Sequence, residues 1–223
     1  MTDPTTTSAQ PLTPDDLAQA QALLATVRQR LGAVLIGQDA LVEGVLAAVT
    51  AGGHVLVESV PGLGKTLLVK ALGRILGLAV GRIQFTPDLM PSDITGSHVF
   101  DMAERKFTFQ PGPVFTQFLL ADEFNRSPAK THAALLEAMQ ERQVTLDGRR
   151  YLLPKPFLVL ATQNPIEYEG TFALPEAQLD RFFLRIRLGY PTPVEEVVIL
   201  DEQKRVHPLD DLPEVCTVEE LRA

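Results

Sequence analysis

Cysteine is nearly absent from this 223-residue chain: Cys216 stands alone, so neither a disulfide framework nor a cysteine zinc cluster can form within it. It lies in the polar stretch DLPEVCTVEE and reads as an inert thiol of the C-terminal tail. Long apolar runs are missing as well. No uninterrupted stretch approaches the roughly eighteen residues that a membrane helix needs, and the start, MTDPTTTSAQPLTPDD, carries acids where a signal peptide has basic and apolar blocks. A cytoplasmic location without membrane insertion is expected. Basic charge is in deficit: 20 Lys and Arg against 28 Asp and Glu leave a net charge of -8, which opposes sequence-independent attraction to nucleic acid or anionic lipid. Any polyanionic ligand must therefore be held by charge concentrated at one spot. Four histidines, His54, His98, His132 and His207, show no metal-ligand spacing and are expected to pack or to face solvent.

What is present suits a globular α/β protein. Apolar residues make up 45% of the chain, and folding at this length buries roughly 70% of the unfolded surface, enough for one domain with its own core. Residues 1–12 are Thr, Ser, Gln and Pro with little to bury and read as a disordered lead. Thr13 is placed to cap a helix with Pro14 in its first turn, Asp15 and Asp16 at its positive end and an apolar stripe of Leu17, Leu24, Val27 and Leu31. A second helix is expected over 39–51, stopped by Gly52-Gly53. Five short apolar runs follow, HVLVE (54–58), GRIQF (81–85), FLLAD (118–122), FLVLA (157–161) and FLRIRL (183–188). Consecutive apolar residues suit strands covered on both faces, so a mostly parallel sheet between helices is predicted. Segments 97–110 and 144–153 read instead as β-hairpins, the second turning at Asp147-Gly148.

Directly after the first run stands SVPGLGKT (59–66), followed by LLVKALGRILG with apolar residues at helical spacing. A strand, a glycine loop and Lys-Thr opening a helix is the order that phosphate binding requires. Backbone N–H groups and the positive helix end surround a phosphate, Lys65 reaches the β- and γ-phosphates, and the Thr66 hydroxyl ligates Mg²⁺. The usual pattern has glycine where this chain has Ser59. A serine is harmless there if the backbone has negative φ, and costs about 1 to 3 kcal/mol if it does not.

The third run ends in Asp122-Glu123, two carboxylates that are costly after a buried strand unless a cation or a reaction uses them. Strand alternation points them in different directions. Asp122 suits the hydration shell of Mg²⁺, and Glu123 suits proton acceptance from an attacking water. The bland alternative is a solvated strand-end pair. The fourth run leads to Gln163-Asn164-Pro165, where Asn164 either orients that water or senses the γ-phosphate, or is simply a turn residue before proline.

The blocks RIQFTPDLMPSDITG (82–96), FLLADEFNRSPAKTHAALLEAMQERQVT (118–145) and ATQNPIEYEGTFALPEAQLDRF (161–182) closely resemble the MoxR family of AAA+ ATPases. The resemblance spans roughly residues 20–222. It implies a P-loop AAA+ core with a five-stranded, mostly parallel sheet, a helix-2 insert at 97–110 and a pre-sensor hairpin at 144–153. It further implies ATP and Mg²⁺ as ligands, a homo-oligomeric ring, usually a hexamer, and chaperone-like activation of client proteins, often metal-cofactor enzymes. A partner with a von Willebrand factor A domain is implied too. Carried over, Pro61, Gly62, Leu63, Gly64, Lys65 and Thr66 match the Walker A loop, Asp122 and Glu123 match Walker B, and Asn164 matches sensor 1. Arg181 falls at the arginine finger, and Leu35, Ile36 and Gly37 belong to the segment lying along the adenine. Without the resemblance, Arg181 reads as a surface residue paired with Asp180 or Glu176; Arg126 is a second intersubunit candidate.

These readings divide the chain into a lead (1–12), an ATPase core (13–207) and the start of a helical lid (208–223). A helix over 193–206 is expected after Thr192, and Thr217 with Glu220 forms a capping box for another. Family members continue into a lid carrying a sensor 2 arginine, so the isolated chain is expected to bind ATP, turn it over slowly and assemble weakly. Two other functions stay open: nucleic-acid remodelling through Arg142, Arg149 and Arg150 of the second hairpin, against which the net charge and the lack of a basic stripe stand, and a nucleotide-binding adaptor without turnover. A nucleotide kinase fits less well, since nothing resembles a second-substrate site.

Overall fold

The computed structural model describes residues 13–60, 63–165, 171–190, 192 and 212–222. The expected lead over 1–12, the helix over 193–206, His207, Pro61 and Gly62 lie outside the described residues. In chain order the elements are α1 (Pro14–Val34), α2 (Asp39–Ala51), β1 (Val55–Ser59), α3 (Lys65–Ile75), β2 (Val80–Gln84) and α4 (Pro91–Thr95). They continue with β3 (Gly96–Asp101), β4 (Lys106–Pro111), β5 (Phe118–Asp122), α5 (Ala129–Glu141), β6 (Gln143–Leu146), β7 (Arg149–Leu152) and β8 (Leu158–Gln163). Last come α6 (Glu176–Leu179), β9 (Leu184–Leu188) and α7 (Val218–Arg222).

The five apolar runs form one parallel sheet in the order β2-β5-β8-β1-β9. Alternation along each strand divides the core in two. Val57, Leu120 and Leu160 face α1, α2 and α3, in a cluster with Leu31, Val45 and Leu72. Leu56, Leu119 and Ala161 face the other way, toward Leu135, Leu136 and Met139 of α5. All five residues of central β1 are buried, whereas edge strand β2 buries only Ile83. β8 runs to Gln163, two residues beyond its apolar run, because its tail pairs with β1 through Glu58.

Local chemistry accounts for the ends of the elements. Thr13 and Asp16 close a capping box at the start of α1, yet Leu17 is 51% exposed and the buried part of the stripe is Val27 and Leu31. Gly52 ends α2 in the left-handed region at φ 62. Both hairpins form, β3 with β4 and β6 with β7, the second turning at Asp147 and Gly148 with φ 49 and 73, as a primed turn needs. They dock on each other: His98 of β3 bridges Asp147 Oδ2 (2.9 Å) and the Tyr151 hydroxyl (3.1 Å), and Phe109 stacks on Tyr151 with ring centres 4.1 Å apart.

Cys216 differs from its sequence reading. It is buried with Leu212 against α3, its segment held by the Val215 N–H donating to the Ile75 carbonyl at 2.8 Å. Burial, followed by the charges of Glu220 and Glu214, pushes its thiol upward, so it stays a protonated core group. The Thr217–Glu220 capping box opens α7.

Candidate functional site

The carboxyl ends of β1, β5 and β8 lie side by side next to the first turn of α3, the place where open α/β sheets carry ligands. A cavity of about 130 Å³ opens there. Ser59, Leu63, Lys65 and Thr66 line it from the loop side, and Asp122, Glu123, Thr162, Gln163 and Asn164 from the strand ends. Gly64 caps α3 at φ 73, a left-handed conformation for which glycine is suited. A Cβ built on it would lie 3.6 Å from Leu35 Cδ2, so the buried Leu35 packs on the loop, while Gly37 turns at φ 72.

Ser59 is the last residue of β1 and does not share the positive φ of the left-handed residues, so the non-glycine position carries no strain. Its hydroxyl accepts a hydrogen bond from Lys65 Nζ at 2.7 Å, and the Val60 carbonyl accepts a second at 3.1 Å. Burial lowers the Lys65 ammonium from its ordinary range, opposed in part by the charges of Asp122 and Glu123.

The two acids end differently from simple strand alternation. Asp122 completes β5, but Glu123 turns into the left-handed region at φ 55 and ψ 44, bringing both acids to the same cavity. Asp122 Oδ1 accepts from Thr162 Oγ1 at 2.6 Å and Oδ2 from Arg82 Nη2 at 2.8 Å. Glu123 Oε2 accepts from Gln84 Nε2 at 2.8 Å and pairs with Arg126 Nε at 3.1 Å. Arg126, the second intersubunit candidate, is thus engaged within its own chain. The turn itself is fixed by Phe124, fully buried, whose carbonyl accepts from His132 Nε2 at 2.6 Å. Burial holds His132 below its ordinary pKa, which keeps the ring neutral.

A second network backs the cavity wall. Glu58, 5% exposed on β1, accepts from Gln163 of β8 and from Arg185 and Arg187 of β9, the last at 2.7 Å. Burial alone would raise its carboxyl, but the three sets of hydrogen bonds together outweigh it and hold the group below the usual range. Arg181 does not line the cavity of its own chain; it is exposed, and its Nε donates to Gln140 Oε1 at 3.2 Å rather than pairing with Asp180 or Glu176. Residue-type reasoning missed Arg82, Gln84, Thr162 and Glu58. Glu58 and Thr162 did carry a signal, each a polar residue at a buried strand position otherwise filled by apolar side chains; Arg82 and Gln84, on the largely exposed edge strand β2, carried none.

The donor set fits a hard cation with a phosphate ligand, since the Thr66 hydroxyl and Asp122 carboxylate supply oxygen and Lys65 a point positive charge. Among the described residues no helix is long and apolar enough to cross a membrane.

Comparison with known proteins agrees with this architecture. Residues 54–184 match the model of the ATPase family associated with various cellular activities (AAA). The fold and the sheet-edge site therefore define an AAA ATPase. The chain belongs to the MoxR branch of that family. It is 53% identical over 167 residues to the chaperone MoxR1 of Mycobacterium tuberculosis, covering 75% of this chain and 44% of that protein. It is 48% identical over 199 residues to YeaC of Bacillus subtilis, covering 89% of this chain and 62% of YeaC. A crystal structure of a Cytophaga hutchinsonii protein superposes with a TM-score of 0.78 at 42% identity, over 92% of this chain and 64% of that one. The chain thus spans less than two thirds of these relatives' lengths.

Proposed function

We propose that the protein binds ATP with Mg²⁺ in the sheet-edge cavity and hydrolyses it. One observation carries this reading: an ammonium, two carboxylates, three hydroxyls and two carboxamides converge on one cavity beside the N-terminus of an eleven-residue helix. Mg²⁺, when bound, supplies neutralising charge at the β- and γ-phosphates. Thr66 and Asp122 are the residues to hold it. Lys65 leaves Ser59 and Val60 for the phosphate oxygens, and the positive N-terminal end of α3 favours the phosphate beside it. Glu123 accepts a proton from water as that water's oxygen bonds to the γ-phosphorus and the bond to the ADP oxygen breaks. Asn164 orients the water or senses the γ-phosphate.

In this reading the core of residues 13–207 assembles into a homo-oligomeric ring of six in the cytoplasm, and Arg181 of one copy reaches the nucleotide of the next. Such an arginine is worth about 10³ to 10⁵ in rate in related P-loop enzymes. Its exposure and its position outside its own cavity support a role in trans. Hydrolysis then drives chaperone-like maturation of client proteins, alongside a partner with a von Willebrand factor A domain; the name of the M. tuberculosis relative supports the chaperone part. The test is nucleotide binding by calorimetry with magnesium, together with phosphate release. Lys65→Ala should lose nucleotide, and Glu123→Gln should retain it but stop turnover. Folded protein that takes up no adenine nucleotide overturns the reading.

A further inference from the structure

Thr162 touches both cavity acids through a single oxygen atom. Its Oγ1 donates to Asp122 Oδ1 at 2.6 Å and accepts the Glu123 backbone N–H at 2.9 Å. A hydroxyl has one proton and two lone pairs, so both bonds form together without conflict. The residue is 1% exposed, so little solvent reaches the oxygen to compete.

The position is unusual for its strand. Leu158 and Leu160, on the same face of β8, are core residues, and the next position on that face holds a hydroxyl instead of an aliphatic side chain. The left-handed backbone of Glu123 needs support, because a residue with a Cβ keeps φ 55 only where its surroundings hold it. Thr162 supplies that support at the N–H, and the Arg126 N–H donates to the Glu123 carbonyl at 2.9 Å from the other side.

We propose that Thr162 is a positioning residue: one hydroxyl orients the metal-side carboxylate of Asp122 and fixes the backbone that aims Glu123. The proposal rests on the ATP-hydrolysing reading for its catalytic consequence, whereas the bridge itself consists of the chain's own hydrogen bonds. Thr162→Val keeps the shape and removes both hydrogen bonds, leaving the Glu123 N–H without its acceptor. Thr162→Ser keeps the hydroxyl and loses only the methyl.

The experiment compares the wild-type chain with these two variants in three measurements. Amide hydrogen exchange at Glu123, followed by NMR without nucleotide, is expected to accelerate in Thr162→Val and to return toward wild type in Thr162→Ser. The Mg²⁺ concentration that half-saturates ATP binding is expected to rise about 10-fold in the valine variant, and turnover to fall about 10- to 100-fold, as for other residues that orient metal ligands. ATP binding in EDTA should stay as in wild type. Serine should restore both within about threefold. Unchanged Glu123 exchange in Thr162→Val, or a serine variant no better than valine, overturns the proposal, the latter because methyl packing would then be what matters. Wild-type protein that takes up no nucleotide overturns the ATP reading instead, and the exchange measurement still decides the bridge.

Discussion

Arg82 on edge strand β2 and Asp122 at the end of β5 are joined across neighbouring strands, Nη2 to Oδ2 at 2.8 Å, and the same Nη2 also donates to Gln84 Oε1. The guanidinium thus pairs with the carboxylate that we propose holds Mg²⁺. Because the Arg82 side chain is 52% exposed, the pair contributes below about 1 kcal/mol to folding. Its effect belongs to ligand binding. Arg82→Ala should lower the Mg²⁺ concentration needed for ATP uptake by about two- to fivefold, the size of an exposed ion-pair coupling, with urea midpoints nearly unchanged. An equal or higher Mg²⁺ requirement in the variant would refute the competition.

The buried carboxylate of Glu58 gives an asymmetric prediction. Its two guanidinium partners are partly in solvent, with Arg185 44% and Arg187 77% exposed, whereas Glu58 is 5% exposed. Removing Glu58 by substitution to Gln lets both arginines rehydrate and should cost about 1 to 2 kcal/mol. Removing both arginines strands a charge in the sheet and should cost about 3 kcal/mol or more at neutral pH. Urea unfolding of the two variants measures this order, and a Glu58→Gln protein less stable than the double arginine variant would contradict it.

Stability should fall with acid through His54. Its Nδ1 accepts the Val159 N–H at 3.1 Å, and its Nε2 donates to the Met139 carbonyl at 3.2 Å. Burial is the main cause that lowers its pKa from 6.5 to about 4. Above pH 6.5 the ring is neutral in both the folded and the unfolded chain, so its contribution is complete. Between 6.5 and 4 the unfolded chain takes up the proton first, so stability declines over that window, by about 3 kcal/mol in all. A His54→Gln variant should be less stable at pH 7 and should lack this part of the pH dependence. Parallel pH profiles for the two proteins would rule the assignment out.

The sheet and both hairpins were legible because their signals are local: consecutive apolar residues for Val55–Val57 and Leu158–Ala161, and Asp147-Gly148 for a tight turn. Lys65, Thr66, Asp122, Glu123 and Asn164 were legible too, since each stands at the carboxyl end of an apolar run or in the segment that follows one, whereas Thr162 beside them was not singled out. What stayed hidden depends on register between strands distant in sequence. Arg82 meets Asp122 only because Gln84 pairs with Asp122 across β2 and β5, and Gln163 meets Glu58 only because those two residues are paired across β8 and β1. The backbone turn that brings Asp122 and Glu123 to one cavity was hidden for another reason: a left-handed glutamate has no signature in composition or periodicity. Cys216 was misplaced because its polar neighbours masked Leu212 and Val215, which carry the segment onto α3.

In the usual pattern of the proposed phosphate loop, glycine stands where this chain has Ser59. Ser59 pairs with Leu188 at the end of β1, is 2% exposed, and takes the Lys65 ammonium on its hydroxyl. Glycine there would relieve no strain, because the serine backbone is that of an ordinary strand residue. It would add chain entropy to the unfolded state, costing about 0.5 to 1 kcal/mol. It would also remove the hydroxyl that accepts from Lys65 and holds its ammonium beside the cavity. Ser59→Gly should therefore unfold at lower urea and bind ATP no more tightly than wild type, whereas Ser59→Ala should weaken binding to a similar extent while retaining more of the stability. A glycine variant with clearly tighter ATP binding in calorimetry would mean that the serine restrains the loop rather than supporting its lysine.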